Sequence, residues 1–390
     1  MKYAMTAHNA PSGTAESVSL WQRSHVLIGT TKFPRAPTIS NILITGGAGF
    51  IASWLVRHLA LQYPDYNVIC FDKLDYCASF NNIAYVNANC HNFKFVKGDI
   101  TNPDEVEAVL RDQKIDTILH LAAMSHVDLS FGRDSYEFTS VNVYGTHVLL
   151  ESARTYGKVT RFIHVSTDEV YGEVHAEDTD LLESAILAPT NPYAATKSAA
   201  DMLVNAYYKS FKLPVIIVRC NNVYGPHQFP EKIIPKFICL LESRRKCSIH
   251  GDGSNSRRYL FAGDAVDALD TILHKGTIGQ IYNIGTSDEI SNRELCKLLL
   301  MQFGYREAEF DQHIEYTNDR PFNDRRYAID ASRLKSLGWI QKTRFEDGIS
   351  ITIAWYRLFG LSWWGDISDI LSAFPTNRHI KADIDGSSPD

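Results

Sequence analysis

Thr45-Gly46-Gly47-Ala48-Gly49-Phe50-Ile51-Ala52 constrains the fold of this chain more than any other stretch. It follows the apolar run Asn41–Thr45 and opens an amphipathic stretch, Ile51–Gln62. Glycines at this spacing let backbone approach a pyrophosphate, and the helix that begins there offers free N–H groups and a partial positive charge. Ala52 holds the third small position, where such a helix packs on its strand. Further short apolar runs follow at Asn67–Phe71, Phe93–Lys97, Thr117–Leu121, Arg161–Ser166 and Val215–Cys220. Helical stretches such as Phe138–Tyr156 and Tyr193–Phe211 lie between them. Largely apolar strands alternating with helices predict an α/β fold, a doubly wound parallel sheet covered on both faces.

After about Cys220 the pattern breaks into short elements, proline turns and scattered arginines. This half predicts a smaller lobe over the carboxyl ends of the strands, where open α/β sheets bind ligands. The expected division is a dinucleotide-binding domain over 39–220 and a substrate lobe over 221–360. Residues 1–38, poor in acids, are expected to be an extension without fixed structure, and 361–390 a tail whose last fifteen or so residues are expected to be disordered.

Within the cofactor site, Gly46, Gly49, Phe50 and Ile51 form the turn and helix start. Asp72 ends the second strand, where a carboxylate grips ribose hydroxyls and repels the extra phosphate of NADP, so NAD is the expected cofactor. Lys73 follows it. Asp99 and Ile100 come after the third strand and Leu121, Ala122 and Ala123 at the end of the fourth. Small residues there admit a flat ring; Asp99 reads equally as an acceptor for an adenine amine or as a helix cap.

A second constellation carries chemistry. Tyr193 and Lys197 are four residues apart, hence on one helical face, and Pro192 suits a helix start. An ammonium beside a phenol favours the phenolate, so the Tyr193 pKa is expected to fall. Thr167-Asp168-Glu169 follows the fifth strand, with apolar residues on both sides. Hydride transfer has no use for two adjacent carboxylates, so their presence predicts proton removal and loss of a leaving group alongside redox chemistry.

Composition narrows the partners. A formal net charge of −6 argues against nucleic acid. The short cluster Arg244-Arg245-Lys246 reads as a solvated helix end. The seven cysteines include no Cys-xx-Cys pair, which argues against a disulfide framework or a metal site. No apolar run is long enough to span a bilayer, and no secretory signal is recognisable. A soluble, cytoplasmic protein is expected.

Gly46-Gly-Ala-Gly-Phe-Ile, Ala122-Ala-Met-Ser-His-Val-Asp128, Ser166-Thr-Asp-Glu-Val-Tyr-Gly172, Asn191-Pro-Tyr-Ala-Ala-Thr-Lys197, Asn222-Val-Tyr-Gly-Pro226, Pro230-Glu-Lys232 and Asp319-Arg-Pro together resemble the nucleotide-sugar 4,6-dehydratases. These are extended short-chain dehydrogenases/reductases with a Rossmann-like sheet. The resemblance runs from about Asn41 to Trp355. Leu74-Asp-Tyr-Cys77, Ile249-His-Gly-Asp-Gly-Ser-Asn255 and Arg320-Pro-Phe-Asn-Asp324 are similar to the eukaryotic branch, which includes the first domain of plant rhamnose synthases. Related epimerases and decarboxylases lack the Asp168-Glu169 pair.

The resemblance implies roles. Tyr193 takes the glucose C4 hydroxyl proton as hydride leaves for NAD⁺, with Thr167 and Lys197 assisting. Glu169 removes the C5 proton, Asp168 protonates the departing C6 hydroxyl, and hydride returns to C6. Ser125, Asn222, Lys232, Arg257 and Arg320 hold the sugar nucleotide and its diphosphate, and His250 lies against the pyrimidine. Met124, Ser248 and Phe322-Asn323 depart from the usual family residues, and the last favours UDP-glucose over dTDP-glucose. The segments Phe138–Tyr156 and Ala194–Phe211 resemble those that pair between subunits, implying a homodimer. The alternatives are a 4-epimerase or decarboxylase on the same scaffold, and a non-catalytic NAD-bound scaffold.

Overall fold

The twelve strands among the described residues are, in chain order, β1 (Asn41–Thr45), β2 (Asn67–Asp72), β3 (Phe93–Lys97), β4 (Thr117–His120), β5 (Arg161–Thr167), β6 (Val215–Cys220), β7 (Asn222–Tyr224), β8 (Cys247–His250), β9 (Ser256–Phe261), β10 (Ile281–Ile284), β11 (Glu289–Ser291) and β12 (Ile314–Thr317). They come from a computed structural model that describes residues 21, 27–132, 135–175, 177–319 and 321–372. Seven build one sheet in the order β10-β6-β5-β4-β1-β2-β3. All its pairings are parallel. Ile42, Leu43 and Ile44 of β1 are fully buried. A central strand covered by helices on both faces needs such an uninterrupted apolar run. The chain runs outward through β2 and β3 on one side of β1 and through β4, β5 and β6 on the other. The switch between β1 and β4 opens a crevice at their carboxyl ends, and Gly46 and Ala122 stand there.

Two smaller sheets, β11-β9-β7 and β12-β8, form the lobe above that crevice. The expected split at residue 220 is too simple. β10 pairs with β6, Ile281 opposite Ile217 and Ile284 opposite Cys220, so the chain returns to the main sheet after starting the lobe. Tyr282, Asn283 and Ile284 are buried there. The helix Ala262–Lys275 also packs on the helix Phe50–Gln62 of the dinucleotide half. Four residues of strand between turns carry too short a pattern to be seen in the sequence.

The N-terminal extension is more firmly held than expected over the residues described, and the described part of the tail is also packed down. Leu27 is fully buried. The Thr30 and Thr31 amides donate to Asp267 Oδ1 at 2.6 and 2.8 Å, and the Thr31 hydroxyl donates to Asp270 Oδ2 at 2.6 Å. Asp267 and Asp270 are buried helix carboxylates, and burial makes such donors necessary. The packed body therefore begins by residue 27, not near 39; most of 1–26 lies outside the described residues. Past the helix Phe345–Phe359, residues 361–372 fold back as a strap. Trp363 is buried, its indole N–H donates to Asn82 Oδ1 at 2.7 Å, and its carbonyl accepts from Asn81 Nδ2 at 2.7 Å. The Asn82 amide in turn donates to the Ala48 carbonyl inside the glycine turn at 2.8 Å. At its far end, Lys236 donates to the Ser372 carbonyl. Residues 373–390 lie outside the described part.

The expected helix Phe138–Tyr156 is present in two parts, Ser135–Phe138 and Gly145–Tyr156, joined by a wider π turn at Thr139–Tyr144. Wide turns of this kind recur at functional sites. Here Asn142 binds the Met124 amide and carbonyl at 2.8 and 3.0 Å and the Thr196 hydroxyl at 3.0 Å. It thereby ties the end of β4 to the helix that carries Tyr193.

Candidate active site

The glycine turn has the geometry its sequence predicts. Gly46 has φ +68°, and a Cβ there would lie 2.7 Å from Ala122 Cα. The backbone just after β4 closes on it, so no larger residue fits without displacing Ala122. The helix Phe50–Gln62 starts at Gly49 without a side-chain cap, which leaves its first N–H groups to a ligand. Asp72 at the end of β2 is buried, accepts from the Ala48 and Leu74 amides at 3.0 and 2.7 Å, and has its pKa raised by burial against those hydrogen bonds. Lys73 pairs with Asp75 at 3.2 Å and with Asp99 at 3.6 Å. Asp99 Oδ1 accepts from the Thr101 amide and hydroxyl, both at 2.9 Å. The cap of the following helix is Asn102, so Asp99 shapes the turn before the helix instead of capping it.

Gly46, Gly49, Phe50, Ile51, Asp72, Lys73, Asp99, Ile100, Leu121, Ala122 and Ala123 all line one cavity of about 300 Å³. Thr167, Asp168, Glu169, Tyr193 and Lys197 line it as well. A second cavity of about 170 Å³ is lined by Ser125, Asn222, Lys232, His250 and Arg257. Ser125, Glu169, Asn222 and Lys232 belong to both walls, so the two spaces form one cleft with Glu169 at their junction. Arg320 lies outside the described residues.

Local structure positions the reacting groups. Thr167 ends β5, and Asp168–Tyr171 forms a 3-10 turn that aims the carboxyls into the cleft. The Thr167 hydroxyl donates to Asp168 Oδ1 at 3.2 Å. Asn221 Nδ2 donates to Asp168 Oδ2 at 2.6 Å, and Asn191 Nδ2 donates to Glu169 Oε2 at 3.1 Å. Burial first, then the neighbouring Glu169, pushes the Asp168 pKa up to about 7. Glu169 is raised by burial, with the Asn191 hydrogen bond acting in the opposite direction. One carboxyl that titrates near neutrality beside another can be proton donor and acceptor at one pH.

Tyr193 and Lys197 lie on the helix Pro192–Phe211, capped by Asn191 and begun by Pro192. Both are buried. The expected lowering of the Tyr193 pKa is not found. Burial, then the Glu169 charge, raises it, and the Thr167 hydrogen bond opposes them. Lys197 is lowered to about 8 by burial, and its ammonium donates to the Val165 carbonyl at 2.8 Å. Residue spacing put a cation near the phenol, but desolvation of the phenolate outweighs it within the protein alone.

In the second cavity, Lys232 Nζ donates to the Ser125 carbonyl at 2.7 Å and so spans the cleft. Arg257 spends N–H groups on neutral acceptors, the carbonyls of Ser256 and Asp324 at 2.7 and 2.9 Å and Asn323 Oδ1 at 3.1 Å, and stacks over the Tyr327 ring at 4.7 Å. Its neighbour Arg258 is bound to Asp180 and Glu289. Among the described residues Arg257 is therefore oriented by neutral acceptors without a carboxylate ion pair, as an anion site requires, and Arg258 is structural. Ser248 donates to Glu315 on β12. Asn191 and Asn221 were not singled out from sequence as site residues; Asn191 carries a signal only as the residue before Pro-Tyr at a helix start.

A parallel sheet with a glycine turn at its switch point and a Tyr-Lys pair at its mouth defines an extended short-chain dehydrogenase/reductase, a class built around a dinucleotide. The chain belongs to the family described as GDP-mannose 4,6 dehydratase, whose model matches residues 43–352. It is 49% identical over 366 residues to the trifunctional UDP-glucose 4,6-dehydratase/UDP-4-keto-6-deoxy-D-glucose 3,5-epimerase/UDP-4-keto-L-rhamnose-reductase RHM1 of Arabidopsis thaliana, covering 90% of this chain and 52% of that protein. The chain thus spans about half the length of this relative. It is 48% identical over 337 residues to the human dTDP-D-glucose 4,6-dehydratase, covering 86% of this chain and 95% of the human one. Among solved structures, a dTDP-glucose 4,6-dehydratase from Streptomyces venezuelae with NAD and TYD bound matches with a TM-score of 0.76 and 40% identity, over 81% of this chain and 97% of that one.

Proposed function

We propose that this chain dehydrates a nucleotide-activated glucose to its 4-keto-6-deoxy derivative, with NAD as a cofactor that ends each cycle as it began. The observation that carries this reading is the Asp168–Glu169 pair, Asp168 buried and Glu169 half-buried, beside Tyr193 where the two cavities meet. The glycine turn, the uncapped helix start and Asp72 fit a dinucleotide in the larger cavity. When bound there, NAD supplies a hydride acceptor and later donor, and its cationic ring favours the Tyr193 phenolate. Tyr193 then accepts the proton of the C4 hydroxyl. A ketone at C4 acidifies the hydrogen at C5, which Glu169 removes. Asp168, half protonated near pH 7, gives its proton to the departing C6 hydroxyl. Each such group contributes roughly 10²–10⁴-fold. Ser125, Asn222, Lys232, His250 and Arg257 hold the nucleotide end in the smaller cavity.

UDP-glucose is the favoured substrate. Ser248 and His250 give this wall a polar edge, and Phe322 and Asn323 line the same cavity. The exposed apolar side chains Tyr144, Met202 and Phe211 lie on the segments that would pair two copies, which supports a homodimer. All seven cysteines are free, in keeping with a cytoplasmic setting. No helix among the described residues is long and apolar enough to cross a membrane. Incubating the purified protein with UDP-glucose and with dTDP-glucose, and identifying the product sugar, tests the reading. A 4-keto-6-deoxy sugar supports it, with UDP-glucose turning over faster. A C4 epimer, a decarboxylated sugar or no conversion of either substrate refutes it.

A further inference from the structure

Each carboxyl of the pair is held by one asparagine whose amide cannot turn around. Asn191 Oδ1 accepts from the Ala194 amide at 2.8 Å, which leaves its NH₂ for Glu169 Oε2 at 3.1 Å. Asn221 Oδ1 accepts from the Thr286 amide at 3.1 Å, which leaves its NH₂ for Asp168 Oδ2 at 2.6 Å. A backbone N–H can only donate, so the backbone decides which end of each side-chain amide meets its carboxyl. Both asparagines are buried, Asn191 at 6% and Asn221 at 3% exposure, so neither is replaced by water at no cost.

We propose that Asn191 and Asn221 are positioning residues that divide the proton chemistry between the adjacent carboxyls. Asn191 keeps Glu169 ionised and aimed as the base. Asn221 occupies Asp168 Oδ2 as a donor that cannot turn, which confines the acid proton to Oδ1, where the rotatable Thr167 hydroxyl donates to the ionised form and turns to accept from the protonated one. The assignment rests on the dehydratase reading but is carried by the two fixed amides. Other charged or titratable groups act on the pair. Glu169 faces Asp168, Tyr193, Arg257, Lys232, Asp324 and Tyr327, and Asp168 faces Glu169, Arg257, Tyr193 and Cys220. None of these distinguishes one oxygen of a carboxyl from the other as a fixed hydrogen bond does.

Removing a donor to a carboxylate raises its pKa, because the hydrogen bond favours the charged form. Asn191→Ser keeps an N-cap but is too short to reach Glu169, and Asn191→Asp keeps the cap and places a like charge there. The experiment follows the Glu169 carboxyl band by infrared difference spectroscopy, each protein read against its own Glu169→Gln form, together with the pH dependence of turnover and the melting temperature. The acid limb of the rate and the Glu169 titration are expected to move to higher pH by about one unit in Asn191→Ser and further in Asn191→Asp. Melting is expected to change little. Asn221→Ser is expected to move the alkaline limb instead. A Glu169 band that titrates at the wild-type pH in both Asn191 variants overturns the proposal, as does a rate loss uniform in pH. If the band moves while the wild type makes no 4-keto-6-deoxy sugar, the positioning role stands and the activity reading falls.

Discussion

Replacing Asp168 by asparagine should stabilise the fold in mild alkali while abolishing turnover. Asp168 is buried, and its pKa is pushed from 3.8 up to about 7. The neutral form is thus the one the fold prefers. A group whose pKa is raised on folding contributes stability below its unfolded pKa, and that contribution is lost as pH rises through the folded value. The window here runs from about pH 4 to about pH 7, with the full loss above it. Three pKa units correspond to about 4 kcal/mol at 1.36 kcal/mol per unit, an upper figure. The substituted side-chain amide can satisfy both neighbours. Its oxygen would accept from Asn221 Nδ2 in place of the carboxyl Oδ2, and its NH₂ would donate to the Thr167 hydroxyl, which turns to accept. The assay is urea unfolding of wild type and Asp168→Asn at pH 4.5 and pH 8.5, both with saturating NAD. The variant is expected to gain several kcal/mol over wild type at pH 8.5 and much less at pH 4.5. A variant equally stable or weaker at pH 8.5, or an advantage that does not depend on pH, would show that the ionised carboxyl is not costly in this site and refute the reasoning.

Glu169→Gln should lower release of the 4-keto-6-deoxy sugar by about 10²–10⁴-fold, measured by product chromatography; near-wild-type release contradicts its role as base. Gly46→Ala should weaken NAD binding at least tenfold by titration calorimetry, since its Cβ would lie 2.7 Å from Ala122 Cα and φ is +68°. Unchanged affinity would mean that the turn can open without loss. Met202→Glu with Phe211→Glu should shift the protein to monomers in sedimentation, because both side chains are more than half exposed on one helix. A dimer that persists places the interface elsewhere.

The dinucleotide half was readable because most of its strands are largely apolar runs next to a recognisable turn. β1, β3 and β6 have the predicted bounds, and β2, β4 and β5 differ by one residue. β10 was not readable: Ile281–Ile284 has no flanking signal, and only pairing with β6, about 60 residues earlier in the chain, makes it a strand. The same limit applies to the site. Asp168 and Glu169 are neighbours in sequence and stand out among apolar flanks. Their asparagine partners are 53 and 22 residues away, joined only by folding. Tyr193 shows a different limit. Spacing reveals that Lys197 shares its helical face, but the degree of burial, which sets the direction of its shift, is a property of the whole packed cleft.

The strap at 361–372 reaches the glycine turn through Asn82, whose amide joins the Trp363 indole to the Ala48 carbonyl. The glycine turn is therefore braced by a segment more than 300 residues downstream of it. A protein clipped behind Phe359 would keep every phosphate-facing glycine and still hold its dinucleotide in a slacker grip.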